Sequence, residues 1–271
     1  ISMGGTLKRL VDQKHDVHVA YETSGNIAVG DEDMMRYFLM MDKIAPMFNF
    51  DTEGYEKLSK EVGDFVMQKK PGEMDTSDIH EIKTMIRQAE ATIACHYIGV
   101  KHDNIHFLRL PFYETGTIKK GDLSEADINI VKKLLEDVKP HEIFVAGDLA
   151  DPHGTHRVCT DAVLAALYEL RNEDWMKDCR IWMYRGAWAE WEIDHIEMAV
   201  PISPEELRFK RNSILKHQSQ MENAPFLGDD DRLFWQRAEE RNRATANLYE
   251  KLGLASYEAI EAFVQYHPIT D

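Results

Sequence analysis

The amino-acid sequence predicts an α/β fold, a mostly parallel sheet with helices on both faces. Two observations carry this. From Asn104 onward, stretches with strand character alternate with stretches of helical period, the order of a parallel sheet wound through crossover helices. Within that order "EIFVAG" reads as a strand buried on both faces, as strands of parallel sheets are. Length sets the scale: 271 residues, 44% of them apolar, suffice for one large core or a core plus an appendage.

The elements follow in order. "ISMGGTLKRLVDQKH" places Leu7, Leu10 and Val11 on one helical face behind a Gly pair, and "DVHVAYETSG" then alternates as a strand does. A crossover helix follows a strand, yet nothing precedes Ile1, so the first strand of this Rossmann-like sheet is expected to be missing, cut away or left in a longer parent polypeptide. Helical patterns fit Asp31–Ala45 and Ser77–Ile98. The strand "NIHFLRLPF" leads to the helix "SEADINIVKKLLEDV", with Ser124 placed to cap it. "EIFVAG", the helix "THRVCTDAVLAALYEL" and the strand "CRIWMYRG" continue the alternation. One more strand, Ile196–Val200, precedes the helical stretches "SPEELRFKRNSILKHQSQM" and Asp231–Leu252, with "FLGDDDRLFW" as an acidic loop capping the second. The resulting division is an α/β domain over residues 1–221 and a C-terminal helical extension over 222–271 packed on it. There is no internal repeat.

Charge and cysteine content exclude several classes. A formal net charge of −16 without a Lys/Arg block repels polyanions, so nucleic acid is not an expected partner. Cys95, Cys159 and Cys179 lack CxxC spacing and read as reduced, structural thiols of a cytoplasmic protein. No apolar stretch approaches the roughly 20 residues that span a bilayer, and no signal pattern opens the chain.

Ligands of open parallel sheets bind at the carboxyl ends of strands, where helix N-termini present free N–H groups. Three loops take that position here: "ETSGN" after Tyr21, "LPFYETGT" after His106–Leu110, and "AGDLADPHGTHRV" after the "EIFVAG" strand. The third alone carries imidazoles, His153 and His156, three residues apart at a helix start. That spacing fits a metal or catalytic site, and equally solvated loop histidines or a helix cap.

At these residues the chain resembles the LmbE/PIG-L-like family of zinc-dependent deacetylases of N-acetylglucosamine derivatives. "VAGDLADPHGTHRVCTDAVLAAL" is similar to the family's third motif, in which a strand end runs into His-Pro-Asp-His and a helix. "SMGGTLKRLVDQKHDVHVAYETSG" resembles its first helix, second strand and Thr-Ser/Asn-Gly loop. "IRQAEATIACHYIGVKHDNIHFLRLPF" resembles its Arg-x-x-Glu-Ala helix and Phe-Leu-x-Leu-Pro strand, and "ILKHQSQM" its late His-x-Ser-Gln segment. The likeness covers roughly Ile1 to Met221.

The resemblance implies roles. His156 would be a zinc ligand, and the zinc would acidify a bound water and polarise the acetamide carbonyl. His153 would be catalytic, stabilising the tetrahedral oxyanion or protonating the leaving amine. Arg87 and Glu114 would contact the amino-sugar substrate, although Arg87 can equally pair with Glu90 along its helix and Glu114 can be a solvated loop residue. Two departures matter. The family's other two zinc ligands and general base come from a His-Pro-Asp-Asp motif just before the first helix, and this chain has no such motif. Thr155 also stands where the family has Asp between the two histidines.

The expectation is therefore a zinc-dependent N-deacetylase in the intact parent, with the 271 residues themselves inactive and binding zinc weakly or not at all. Some bacterial proteins resembling this sequence carry a glucosamine-6-phosphate deaminase-like domain ahead of such a domain, which makes that domain an expected partner. The alternative is a non-catalytic scaffold attached to such a deaminase, with "GAWAEWEIDHIEMAV" and the helices after Asp231 forming an aromatic-rich surface.

Overall fold

The computed structural model describes residues 2–50, 52–117, 119–147, 154–186, 189–221 and 232–267. Helix α1 (Gly4–Asp12) lays the expected stripe, Leu7 and Val11, against Cys95, Ile98 and Val100, the end of α4 (Ser77–Ile98) and the turn after it. Strand β1 (Val19–Tyr21) pairs in parallel with β2 (Ile105–Phe107), Ala20 opposite His106. Between β1 and α4 come α2 (Asp31–Met47) and a helix the patterns did not announce, α3 (Glu53–Gln68). Met34, Phe38, Val62, Ile79 and Ile86 bind α2, α3 and α4 into one cluster. Buried Lys83 ties the same region together by holding Asp31 and Asp75, each at 2.7 Å.

The larger sheet has the strand order β3–β4–β6–β5, with β3 (Glu142–Ala146), β4 (Arg180–Tyr184), β5 (Met198–Ile202) and β6 (Ala259–Tyr266). β3 and β4 run parallel, joined through α6 (Thr155–Leu170), whereas β6 runs antiparallel to both of its neighbours. Helices cover both faces. Val145, Ile181 and Tyr266 pack with Leu167 and Leu170 of α6 and Val131 and Leu135 of α5 (Glu125–Val138). On the opposite face, set by the two-residue alternation of a strand, Glu261 meets α1 and α7 (Pro204–Ile214), and Asn242 of α8 (Phe234–Lys251) bonds Lys210 and the Ile260 carbonyl.

The tail differs from a purely helical extension. After α8 the chain returns as β6 and inserts between β4 and β5, so residues 259–263 are all buried. The sheet is mixed for the same reason, since a strand arriving from α8 enters antiparallel. Glu261 is the polar exception on this strand. Its carboxylate takes the Gly5 N–H at 3.0 Å and the Thr6 N–H at 2.7 Å, capping α1 from the far end of the sequence. Lys210 Nζ donates to Glu261 at 2.7 Å, Asn242 at 2.6 Å and the Ser2 carbonyl at 3.1 Å, and neither Lys210 nor Glu261 has an exposed side chain.

The tryptophans proposed for a partner surface are used in part for packing. Trp191 lies over Gly147, where a Cβ would come within 2.8 Å of its ring, and its Nε1–H donates to the Met183 carbonyl at 3.1 Å. Trp175 packs against the α5–α6 cluster. Trp188 and the "FLGDDD" segment lie outside the described residues. Cys95, Cys159 and Cys179 are free thiols. Among the described residues no helix is long and apolar enough to cross a membrane.

Candidate functional site

The carboxyl ends of the two sheets meet at Glu22. Its carbonyl, one residue past β1, accepts the Leu110 N–H at 2.8 Å, so the loops after β1 and β2 leave together. Its side chain takes a hydrogen bond from Cys159 on α6, and Tyr184, the last residue of β4, lies within electrostatic range of both. The first two of the three expected loops therefore converge with the start of α6. Residues 148–153 of the third, His153 among them, lie outside the described residues.

Each side chain here has a structural reason for its place. Asp127, fully buried in the capping box of α5, accepts the Ser124 N–H and the Phe112 N–H, each at 2.9 Å, which pins the loop carrying Tyr113 and Glu114. Arg109, at φ +50, turns the chain out of β2 and donates to Glu114 Oε2 at 3.0 Å. Arg87 projects from α4, the helix capped by Thr76 at its start and by left-handed Gly99 at its end. Its Nη1 donates to Glu90 Oε2 at 2.8 Å, the pairing foreseen as the alternative to a substrate contact. Glu90 in turn accepts the Ser219 N–H at 2.6 Å and the Ser219 hydroxyl at 2.8 Å, which draws the segment after α7 onto α4.

Gly25 explains the turn between β1 and α2. It sits at φ +66, and a Cβ there would come within 3.1 Å of Arg87 Nε. Gly25→Ala is expected to cost about 1 kcal/mol or more from the left-handed backbone, and to push Arg87 aside. A lower thermal midpoint with a raised KM would register both effects; an unchanged midpoint would show that the loop accommodates the methyl group.

The electrostatics mark a site as well as a scaffold. Burial pushes the Tyr184 hydroxyl up to about 12, with Glu22 and Cys159 adding to the effect. Burial likewise raises Tyr113 to about 12, with Arg87 opposing and Glu114 and Cys159 reinforcing. Glu22 is raised to about 7 by burial, against the Cys159 hydrogen bond. His217 is driven down to about 3 by burial and then by the Arg87 charge, so it is a neutral imidazole. Five buried polar atoms of these segments have no hydrogen-bond partner among the described residues: Glu22 Oε2, Ser24 Oγ, Arg87 Nε, Glu114 Oε1 and His217 Nδ1. Unpaired buried polar groups suit a polar ligand that supplies the missing partners.

Tyr113 lies within electrostatic range of both Arg87 and Glu114. His156 stands on the first turn of α6, exposed, three residues before Cys159 and on the same side of the helix. Among the described residues no group of three His, Cys, Asp or Glu side chains is placed to hold a metal. A catalytic zinc needs three protein ligands, so these residues alone do not fit one. Nothing local in the sequence singles out Glu22, Tyr184 or His217, although Glu22 and His217 lie within the segments "ETSGN" and "ILKHQSQM".

The chain is 65% identical over 277 aligned positions to a glucosamine-6-phosphate deaminase-like protein of Bacteroides thetaiotaomicron; the match covers 99% of the chain and 41% of that protein. The chain therefore spans about two-fifths of that relative. Among solved structures it resembles the N,N'-diacetylchitobiose deacetylase of Pyrococcus horikoshii, with TM-score 0.56, 18% identity, and 98% and 78% of the two chains covered. It also resembles GalB, the 4-carboxy-2-hydroxymuconate hydratase of Pseudomonas putida, with TM-score 0.58, 13% identity, and 99% and 91% covered. A deacetylase and a hydratase at such low identity show the shared fold alone. Residues 1–167 match the family model described as PIG-L, GlcNAc-PI de-N-acetylase, and the chain belongs to that family.

Proposed function

We propose that the intact protein hydrolyses the N-acetyl group of an N-acetylglucosamine-type amino sugar, free or phosphorylated. Family membership and a fold shared with a deacetylase support a deacetylase-type function. The observation that carries the sugar reading is the set of buried polar atoms on Glu22, Ser24, Arg87, Glu114 and His217 that lack partners among the described residues, since a polyhydroxylated ligand offers both donors and acceptors. In this reading Arg87 and Glu114 bind substrate, His153 is the acid or oxyanion partner, and His156 is one ligand of a zinc ion. The remaining ligands must come from outside the described residues. On the same reading the 271 residues release no acetate by themselves.

The relative named deaminase-like suggests a partner activity in the same protein. Deacetylation of an N-acetylglucosamine phosphate yields an amino-sugar phosphate, the substrate of such a deaminase. The test is acetate release by the full-length protein from N-acetylglucosamine and its 6-phosphate, with and without chelator. Release that the chelator stops is the expected result. Release that persists in chelator removes the metal from the reading, and no release from either sugar favours a scaffold attached to the deaminase-like part.

A further inference from the structure

Glu22 has no assigned part in the proposed deacetylation. Its position is set by the backbone, because the strand-end bond from Leu110 fixes it where β1 and β2 finish. The side chain turns toward α6 and β4, where Cys159 donates to the carboxyl group and Tyr184 stands close by. The other oxygen, Oε2, is buried and has no partner among the described residues, and Ser24 Oγ, two residues further along, is in the same condition. Among the described residues no cation pairs with Glu22: Arg87 bonds Glu90, and Arg109 bonds Glu81 and Glu114. A carboxyl group placed this way is incomplete until a ligand arrives.

Resting on the deacetylase reading, we infer that Glu22 is a specificity-determining residue, whose Oε2 hydrogen-bonds a ring hydroxyl of the amino sugar. A hydroxyl group suits the site because it both donates and accepts. Burial raises the carboxyl group to about 7, so both of its forms occur near neutrality: the anion accepts the hydroxyl proton, and the acid donates to the hydroxyl oxygen. Among the described residues no cation pairs with Glu22, and Arg87 is already paired with Glu90, so nothing here favours a phosphate beside this carboxyl group. A phosphorylated substrate must therefore point its phosphate away from Glu22. The contact makes the enzyme read the sugar ring as well as the acetamide.

The test uses the full-length protein as wild type, Glu22→Ala and the near-isosteric Glu22→Gln. KM and kcat for acetate release are measured on N-acetylglucosamine and on its 3-deoxy, 4-deoxy and 6-deoxy analogues, with glucosamine binding followed by calorimetry on the same proteins. Glu22→Ala should raise KM about tenfold or more on the parent sugar. It should add no penalty on the one analogue that lacks the hydroxyl Glu22 contacts, and Glu22→Gln should keep part of the affinity through its amide oxygen. An equal loss on every analogue, or no loss, overturns the assignment. Should the wild type release no acetate, the deacetylase reading fails separately and calorimetry decides for Glu22. Weaker glucosamine binding by Glu22→Ala then sustains it, and equal or absent binding ends it.

Discussion

Glu261→Gln is expected to destabilise the chain by about 3–5 kcal/mol, the scale for leaving one partner of a buried ion pair uncompensated. Lys210 has no exposed surface, and of its three acceptors only Glu261 carries charge. A glutamine keeps one acceptor oxygen for the start of α1 but turns an NH2 group toward N–H donors or the ammonium. Lys210→Met should cost less, because Glu261 would retain its bonds from Gly5 and Thr6. Acid gives an independent readout. Burial would raise the Glu261 carboxyl group, but Lys210 and Thr6 together hold it below its ordinary value of 4.5. A depressed carboxylate contributes stability that is present above that value and lost as pH falls below it. Urea unfolding should therefore show a loss on acidification in the wild type that is shallower in Glu261→Gln. A Glu261→Gln stability within about 1 kcal/mol of wild type would show that the pair is not needed to hold α1.

What the sequence disclosed about the fold depended on how local each signal was. Helix α4 was legible with its observed limits, Ser77 and Ile98, because it is a long periodic stretch, and the structure closes it with Thr76 and Gly99 as caps. The Ser124 cap was legible as a local signal too, although the second use of its capping box, Asp127 pinning Phe112, is a tertiary contact that no local pattern carries. β6 was lost to the helical extension because Glu261 interrupts "AIEAFV", and it is the buried Lys210 with the N–H groups of Gly5 and Thr6 that makes a glutamate acceptable in a central strand. α3 went unread, with Gly54 and Gly63 weakening its helical character. In the site, Arg87 and Glu114 were legible through family resemblance rather than through their own spacing. Glu22, Tyr184 and His217 acquire their character from burial where separate strand ends meet, a property of the assembled fold.

In the full-length protein, His156→Ala and His153→Ala should separate if the deacetylase reading holds. His156, on the first turn of α6, is the residue proposed to ligate the metal. An open zinc site held by three protein ligands loses affinity and geometry together when one is removed. His156→Ala should therefore abolish bound zinc, measured by elemental analysis after dialysis, and acetate release with it. His153→Ala should keep the zinc and lower turnover by about 10²-fold or more, the scale for losing a positioned acid or oxyanion donor. A variant that merely damaged the fold would lose thermal stability as well, and exposed His156 gives no reason to expect that. Wild-type rates in both variants would take the histidine pair out of the chemistry. Loss of zinc in His153→Ala, with zinc retained in His156→Ala, would exchange the two roles and make His153 the ligand.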